Sequence, residues 1–360
     1  MEHCSYDTPI QDKPAIELKG NSQTVNNIKT SRMRRRREVK SLFFMLSYYH
    51  KTGKNSSLVV YTILWYWEYG VIELNDRLLD SYADLFARAF HSDVNRVCIF
   101  RDTVAQKLIG AQQYNETCLD LVRGIGMLNP TFSGTIQEAL RWIADNKLSD
   151  LPLARSAFAE TSFETAAALG AEQYLLVGAG FDTFAYRKPS WAKNLRVFEI
   201  EDVVVSADKQ QRLARADIVV PDGTYYIWTD VKMEQWGAAL QSCSAYDRTK
   251  TAFSNLMGLS WRLDKPAFER FLQRLNLLTG EGSSVVFDYR DDIGEAMTDG
   301  YSYRELERML SRCGYHIYEH LNPGEMERQY FAAYNRRNPK YPIHPAKDVN
   351  YCLAVKKIRR

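Results

Sequence analysis

The sequence has no CxxC pair, no apolar run of membrane-spanning length and no surplus of either charge. Its six cysteines (Cys4, Cys98, Cys118, Cys243, Cys313, Cys352) stand far apart. That excludes a zinc site built on paired thiolates and gives no disulfide framework in a chain this long. The run from Leu58 to Trp67 is about ten residues, half of what a membrane helix needs, so no membrane span is expected. The 47 basic and 44 acidic residues leave a net +3, so no global field calls for nucleic acid as a partner. Glu2, Asp7 and Asp12, with no early apolar block, are unlike a secretory leader. Together with the unpaired thiols they lead to the expectation of a cytoplasmic protein.

A further deficit falls inside a motif. An apolar run, Tyr174 to Val177, stops at Gly178-Ala179-Gly180, and a second, Val197 to Ile200, stops at Glu201. This is the spacing of a nucleotide-binding β-α-β unit. The glycines let the backbone bend sharply and leave room for a ligand, and the acid suits the two hydroxyls of a ribose. The third glycine of a dinucleotide fingerprint, which admits a pyrophosphate, is missing. Its place is taken by Thr183, preceded by Asp182. A ligand with a ribose but no pyrophosphate fits such a turn, and S-adenosylmethionine (SAM) is the commonest; NAD(P) is the alternative.

Around that unit, 45% apolar content over 360 residues is enough for a large core. Residues 1–37 are polar and end in the basic run Arg32 to Arg37, and they are expected to form a flexible basic tail. Residues 38–150 are aromatic and then helical in pattern, with Leu78, Leu79, Tyr82, Leu85, Phe86 and Phe90 at helical spacing; they predict a helical cap governing substrate access. Helices are expected over Ile136 to Asn146 and Phe158 to Leu169, the latter stopping at Gly170. After Glu201 the alternation continues: helix Ala207 to Ala216, strand Tyr225 to Thr229 ending at Asp230, strand Phe253 to Leu259, helix Lys265 to Leu278 and strand Ser283 to Tyr289. A capping box at Ser302 and Glu305 opens another helix. Tyr315 to Leu321 and Val349 to Ile358 make a last pair of strands.

Five motifs in this order resemble the leucine carboxyl methyltransferase family, a branch of the Rossmann-like SAM-dependent methyltransferases. They are Leu153-Ala154-Arg155, then Gln173 to Arg187 (QYLLVGAGFDTFAYR) with Val197 to Glu201, Thr229-Asp230, Gly258 to Leu263, and Gly282 to Tyr289. The resemblance runs from about Arg96 to the C-terminus. It implies that Arg155 pairs with the methionine carboxylate, a role suited to a guanidinium fork. It further implies that the turn Gly178, Ala179, Gly180 with Asp182 faces the methionyl part, Glu201 the ribose, and Asp230 with Val231 the adenine. The family more often has Asp at the Glu201 position, and an acid where this chain has Met257. Trp261-Arg262 stands where the family often has tyrosines, which makes Arg262 a candidate for an anionic substrate.

The expected fold is a seven-stranded, mostly parallel Rossmann-like sheet with helices on both faces, residues 151–360, beneath the helical cap. The expected activity is SAM-dependent O-methyl transfer to a carboxylate or hydroxyl of a small molecule or peptide. A carboxylate needs no general base, whereas a phenol or alcohol usually does, and no histidine falls in the motifs. His316 and His320 alternate along a strand without a third ligand, so no metal is expected. An NAD(P)-dependent oxidoreductase and a non-catalytic SAM-binding module are the alternatives.

Overall fold

The computed structural model describes residues 76–291 and 300–358, all within one compact unit, Ser56–Arg360. The expected tail at 1–37, its arginine cluster and the Leu58 to Trp67 run lie outside the described residues.

Alternating apolar runs and helical segments build a seven-stranded sheet in the order β3-β2-β1-β4-β5-β7-β6. The strands are β1 (Gln173–Val177), β2 (Arg196–Glu201), β3 (Thr224–Trp228), β4 (Ala252–Asn255), β5 (Ser284–Arg290), β6 (Tyr315–Leu321) and β7 (Val349–Lys356). The first five run parallel, and β7 enters antiparallel between β5 and β6. Because β1 pairs with β2 on one side and β4 on the other, the chain reverses its direction of travel across the sheet there. In open α/β sheets such a switch point leaves a crevice at the carboxyl ends of the strands.

Alternation along β1 shows why the sheet is covered on both faces. Leu175 and Val177 enter one apolar cluster with Phe198, Trp236, Phe268 and Phe287, while Tyr174 and Leu176 enter the other with Phe158, Phe163 and Phe184. A third cluster lies among the helices that precede the sheet: α1 (Asp76–Val94), α2 (Ala105–Ile109), α3 (Ala111–Arg123) and α4 (Ile136–Ile143).

Several boundaries differ from the sequence expectation. The helix expected from Phe158 begins at Pro152, as α5 (Pro152–Ala168). Proline suits a first helical turn because its φ is already helical and its missing N–H has no intrahelical partner there. This puts Arg155 on a helix instead of a connection. The strand expected over Phe253 to Leu259 ends at Asn255, whose side-chain oxygen accepts the Met257 N–H at 3.0 Å and turns the chain. The α-helix expected to reach Asn146 stops at Ile143 and continues as a π turn, Ala144–Leu148. At the helix Tyr303–Arg312, Ser302 accepts the Glu305 N–H at 3.3 Å, but the Glu305 carboxylate goes to Lys265 Nζ at 2.9 Å in place of closing the box.

Candidate functional site

Helix α1 spans the carboxyl edge of β1, β2 and β5 with one polar stripe. Arg77, Ser81, Asp84 and Arg88 follow at intervals of four, three and four residues, so they share a face, and Leu78, Tyr82, Leu85 and Phe86 bury the other side. The Arg77 guanidinium donates to the Glu201 carboxylate. Ser81 lies against Gly180, where an added Cβ would meet its Oγ at 2.7 Å. Asp84 approaches Arg155, and Arg88 Nη2 donates to the Phe181 carbonyl at 2.7 Å. Asp80, next to the stripe, accepts from Arg262 Nη2 at 2.6 Å.

The turn after β1 is held from below. Gly178 and Gly180 take φ of +71° and +48°, values that side-chain-bearing residues adopt at a cost. The Gly178 and Ala179 N–H groups donate to the Ile200 carbonyl at 2.8 and 3.3 Å, and Gly180 N–H donates to Glu201 Oε2 at 2.8 Å. Asp182 caps the following turn, accepting the Phe184 N–H at 2.7 Å. Thr183 turns inward: its hydroxyl donates to Asp102 Oδ2 at 2.7 Å and accepts from Arg187 Nε at 2.9 Å. Asp102 also accepts from Arg88 Nε at 3.0 Å, and Arg187 Nη1 reaches Glu160 at 2.8 Å. Burial alone would raise the Asp102 pKa, but Arg88, Arg187 and the Thr183 hydroxyl outweigh it and hold the carboxyl below its ordinary value. Thr183 thus serves a buried network that fixes the turn, not only the exclusion of a pyrophosphate.

Glu201 ends β2 with a side chain only 2% exposed, accepting from Gly180 N–H, from Asp202 N–H at 2.7 Å and from Arg77. Thr229 N–H donates to the Glu201 carbonyl at 3.0 Å, so the segment after β3 is tied to the same edge. There Asp230 is exposed and accepts the Lys232 N–H at 2.9 Å, while Val231 is buried in the same apolar cluster as Val177 and Ile200.

Arg155 forms the second half of the site. Its Nε and Nη2 donate to Asp288 Oδ2 at 2.9 and 2.7 Å, while Asp288 Oδ1 accepts the Gly258 N–H at 2.6 Å. Gly258 has φ of +76°, and a Cβ there would meet Arg155 Nη1 at 3.4 Å. Burial opposes the Arg155 charge, but Asp288 and Asp84 prevail and keep its pKa raised. The Arg155 and Arg290 guanidinium carbons each lie 4.5 Å from the Trp261 ring centroid. Met257 packs with Trp261 against the apolar cluster of Tyr174, Ala179 and Phe253.

The structure therefore gathers Gly178, Gly180 and Glu201 into one hydrogen-bonded group, and Arg155 with Gly258 into a neighbouring one. Arg262, the candidate for an anionic substrate, is paired with Asp80. Asp288 and the polar stripe on α1 carry more than the sequence suggested. Asp288 could have been noticed as the lone acid in the otherwise apolar strand Val285 to Tyr289. The stripe on α1 had no motif to reveal it.

The profile of the leucine carboxyl methyltransferase family matches residues 82–276, beginning before Arg96, where the sequence resemblance started, and including the site except Arg77, Asp80, Ser81, Asp288 and Arg290. A Bacillus subtilis (strain 168) protein described as a "Putative S-adenosyl-L-methionine-dependent methyltransferase YktD" is 29% identical over 79% of this chain and 99% of its own length. A Mycolicibacterium gilvum (strain PYR-GCK) protein of like description is 31% identical over 39% of this chain and 55% of its own length. Among solved structures, magnesium protoporphyrin IX methyltransferase from Synechocystis PCC 6803 covers 70% of this chain and 100% of its own at 10% identity with a TM-score of 0.39. That score adds nothing to the strand order already described. The chain belongs to the leucine carboxyl methyltransferase family, whose members are SAM-dependent methyltransferases.

Proposed function

We propose that the protein transfers the methyl group of SAM to an oxygen of a small-molecule or peptide acceptor, a carboxylate before a hydroxyl. The residues at the carboxyl edge fit the cofactor. Two glycines at positive φ form a turn whose missing Cβ atoms leave the space taken by Arg77 and Ser81, a buried carboxylate ends β2, and a guanidinium faces Gly258. In this reading Arg155 holds the methionine carboxylate, and the Gly178 to Gly180 turn with Asp182 borders the methionyl chain. Glu201 takes the ribose hydroxyls in place of Arg77, Asp230 and Val231 border the adenine, and Met257 gives an apolar wall near Gly258. Residues 151–360 are the cofactor domain, and residues 38–150 are the cap that shapes acceptor access.

Bound SAM supplies a methyl group on a sulfonium, already activated for displacement. The chain's task is to align the acceptor oxygen and exclude water. The observation that carries the preference for a carboxylate is the commitment of every described histidine elsewhere. His91 is buried, accepts the Ile99 N–H at 2.9 Å, and has its pKa lowered to about 3 by burial and by Arg141 and Arg101. His320 meets the Tyr289 hydroxyl at 2.7 Å and His316 is exposed on β6, the far edge strand; His344 contacts Glu327 at 3.1 Å. An acceptor already ionised at neutral pH needs none of them.

Transfer of label from methyl-labelled SAM to a panel of carboxylic acids, peptides and phenols tests this. Label released as methanol by mild alkali marks an ester and supports the reading. Alkali-stable label marks an ether or amine and overturns the carboxylate preference.

A further inference from the structure

The acidic group on α1 nearest the cofactor edge is Asp84. Its Oδ2 lies 3.9 Å from Arg155 Nη1, close enough for Coulomb attraction but beyond a hydrogen bond. Among the described residues no hydrogen bond reaches its carboxylate. The side chain keeps 35% of its surface open, so it is not packed into the core. Burial raises its pKa and the nearby Arg155, Arg88 and Arg262 lower it, with Asp80 adding a like charge. The net shift is upward because burial outweighs the three arginines, none of which donates a hydrogen bond to the carboxylate.

Arg155 is arranged in the complementary way. Asp288 occupies Nε and Nη2, and Nη1, the remaining guanidinium nitrogen, faces Gly258 and Asp84. A hydrogen-bond donor with positive charge and an acceptor with negative charge thus stand side by side next to Gly258. An α-amino acid zwitterion presents the matching pair, a carboxylate and an ammonium on one carbon. Met257, the residue before Gly258, offers the ammonium no charge.

On the reading that the site takes SAM, we propose that Asp84 holds the α-ammonium of the methionyl tail while Arg155 holds its carboxylate. The cap helix then completes the cofactor site itself, in addition to bordering the acceptor. A charge-assisted hydrogen bond from an ammonium to an enclosed carboxylate corresponds to about tenfold or more in affinity.

The test is calorimetric binding of two ligands, S-adenosylhomocysteine (SAH) and its deamino analogue, in which the tail keeps the carboxylate and lacks the amine. The wild-type chain should bind SAH about tenfold or more tightly than the analogue. Asp84→Asn should lose about that factor for SAH and bind both ligands equally, as a double-mutant cycle requires of a direct contact. Asp84→Glu, which keeps the charge, should preserve a preference for SAH. Equal affinities in the wild-type chain overturn the proposal without any variant, and so does an Asp84→Asn protein that weakens both ligands by the same factor. If the wild-type chain binds neither ligand, the cofactor reading falls and the proposal with it; SAH binding that ignores the amine sinks the proposal alone.

Discussion

On the proposed function, single side chains at the carboxyl edge divide into those that would meet the cofactor and those that hold them in place. Glu201 belongs to the first group: Glu201→Ala removes a buried acceptor and should weaken SAH by about 1.5 to 3 kcal/mol in calorimetry. Asp230→Ala should weaken it in the same direction and by less, because Asp230 is exposed. Unchanged affinity in both variants would mean that the ribose and adenine lie elsewhere. Asp288 belongs to the second group. Removing one partner of a buried ion pair leaves the other charged and unpaired, so Asp288→Ala should cost about 3 to 5 kcal/mol in urea unfolding and weaken SAH as Arg155 loses its position. Glu201 was legible in the sequence because an acid that ends an apolar run stands out. Asp288 gave a weaker signal, since a lone acid inside VVFDYR also looks like ordinary strand alternation. Thr183 was noticed for what it is not, a glycine, while its bond to Asp102 joins positions eighty-one apart and leaves no local pattern.

At the scale of elements, α1 and the turn after β1 hold one another. Arg88 bonds both Asp102 and the Phe181 carbonyl, so α1 and the glycine turn share a buried charged network. This network has a pH signature. The Asp102 pKa is depressed in the folded state, so its stabilising contribution is present above the unfolded value and is lost as pH falls through the folded one. Urea midpoints should therefore separate wild type from Asp102→Asn widely at pH 7, and the gap should narrow at about pH 3. A gap that widens on acidification would contradict the depressed value. The Arg262–Asp80 pair is different, with side chains 26% and 34% exposed. Such pairs contribute about 0 to 1 kcal/mol, so Arg262→Ala should leave stability within that range. If Arg262 also contacts an anionic acceptor, the same variant raises KM for the acceptor and leaves SAH affinity alone. Helix and strand identities were mostly readable from period. The boundaries that moved, at Pro152 and Asn255, did so through a proline that opens a helix and an asparagine that ends a strand, and neither changes the hydrophobic pattern.

For the molecule as a whole, the strand order places the switch point between β1 and β4, beside the turn the sequence had singled out. The parallel sheet and its nucleotide-type unit followed from apolar runs and glycines, because those signals are local. The segment before the sheet was legible only as a set of helices; that the polar stripe of α1 faces the carboxyl edge depends on contacts from Arg77 to Glu201 and from Asp84 to Arg155, which cross from one part of the chain to another. The central claim is that this edge, closed by α1, is the cofactor site. A crystal structure of the protein with SAH tests it most directly. The account predicts ribose hydroxyls on Glu201 with Arg77 displaced, and the amino-acid tail between Arg155 and Asp84. SAH bound away from the Gly178 to Gly180 turn, or with its ribose turned from Glu201, would contradict it.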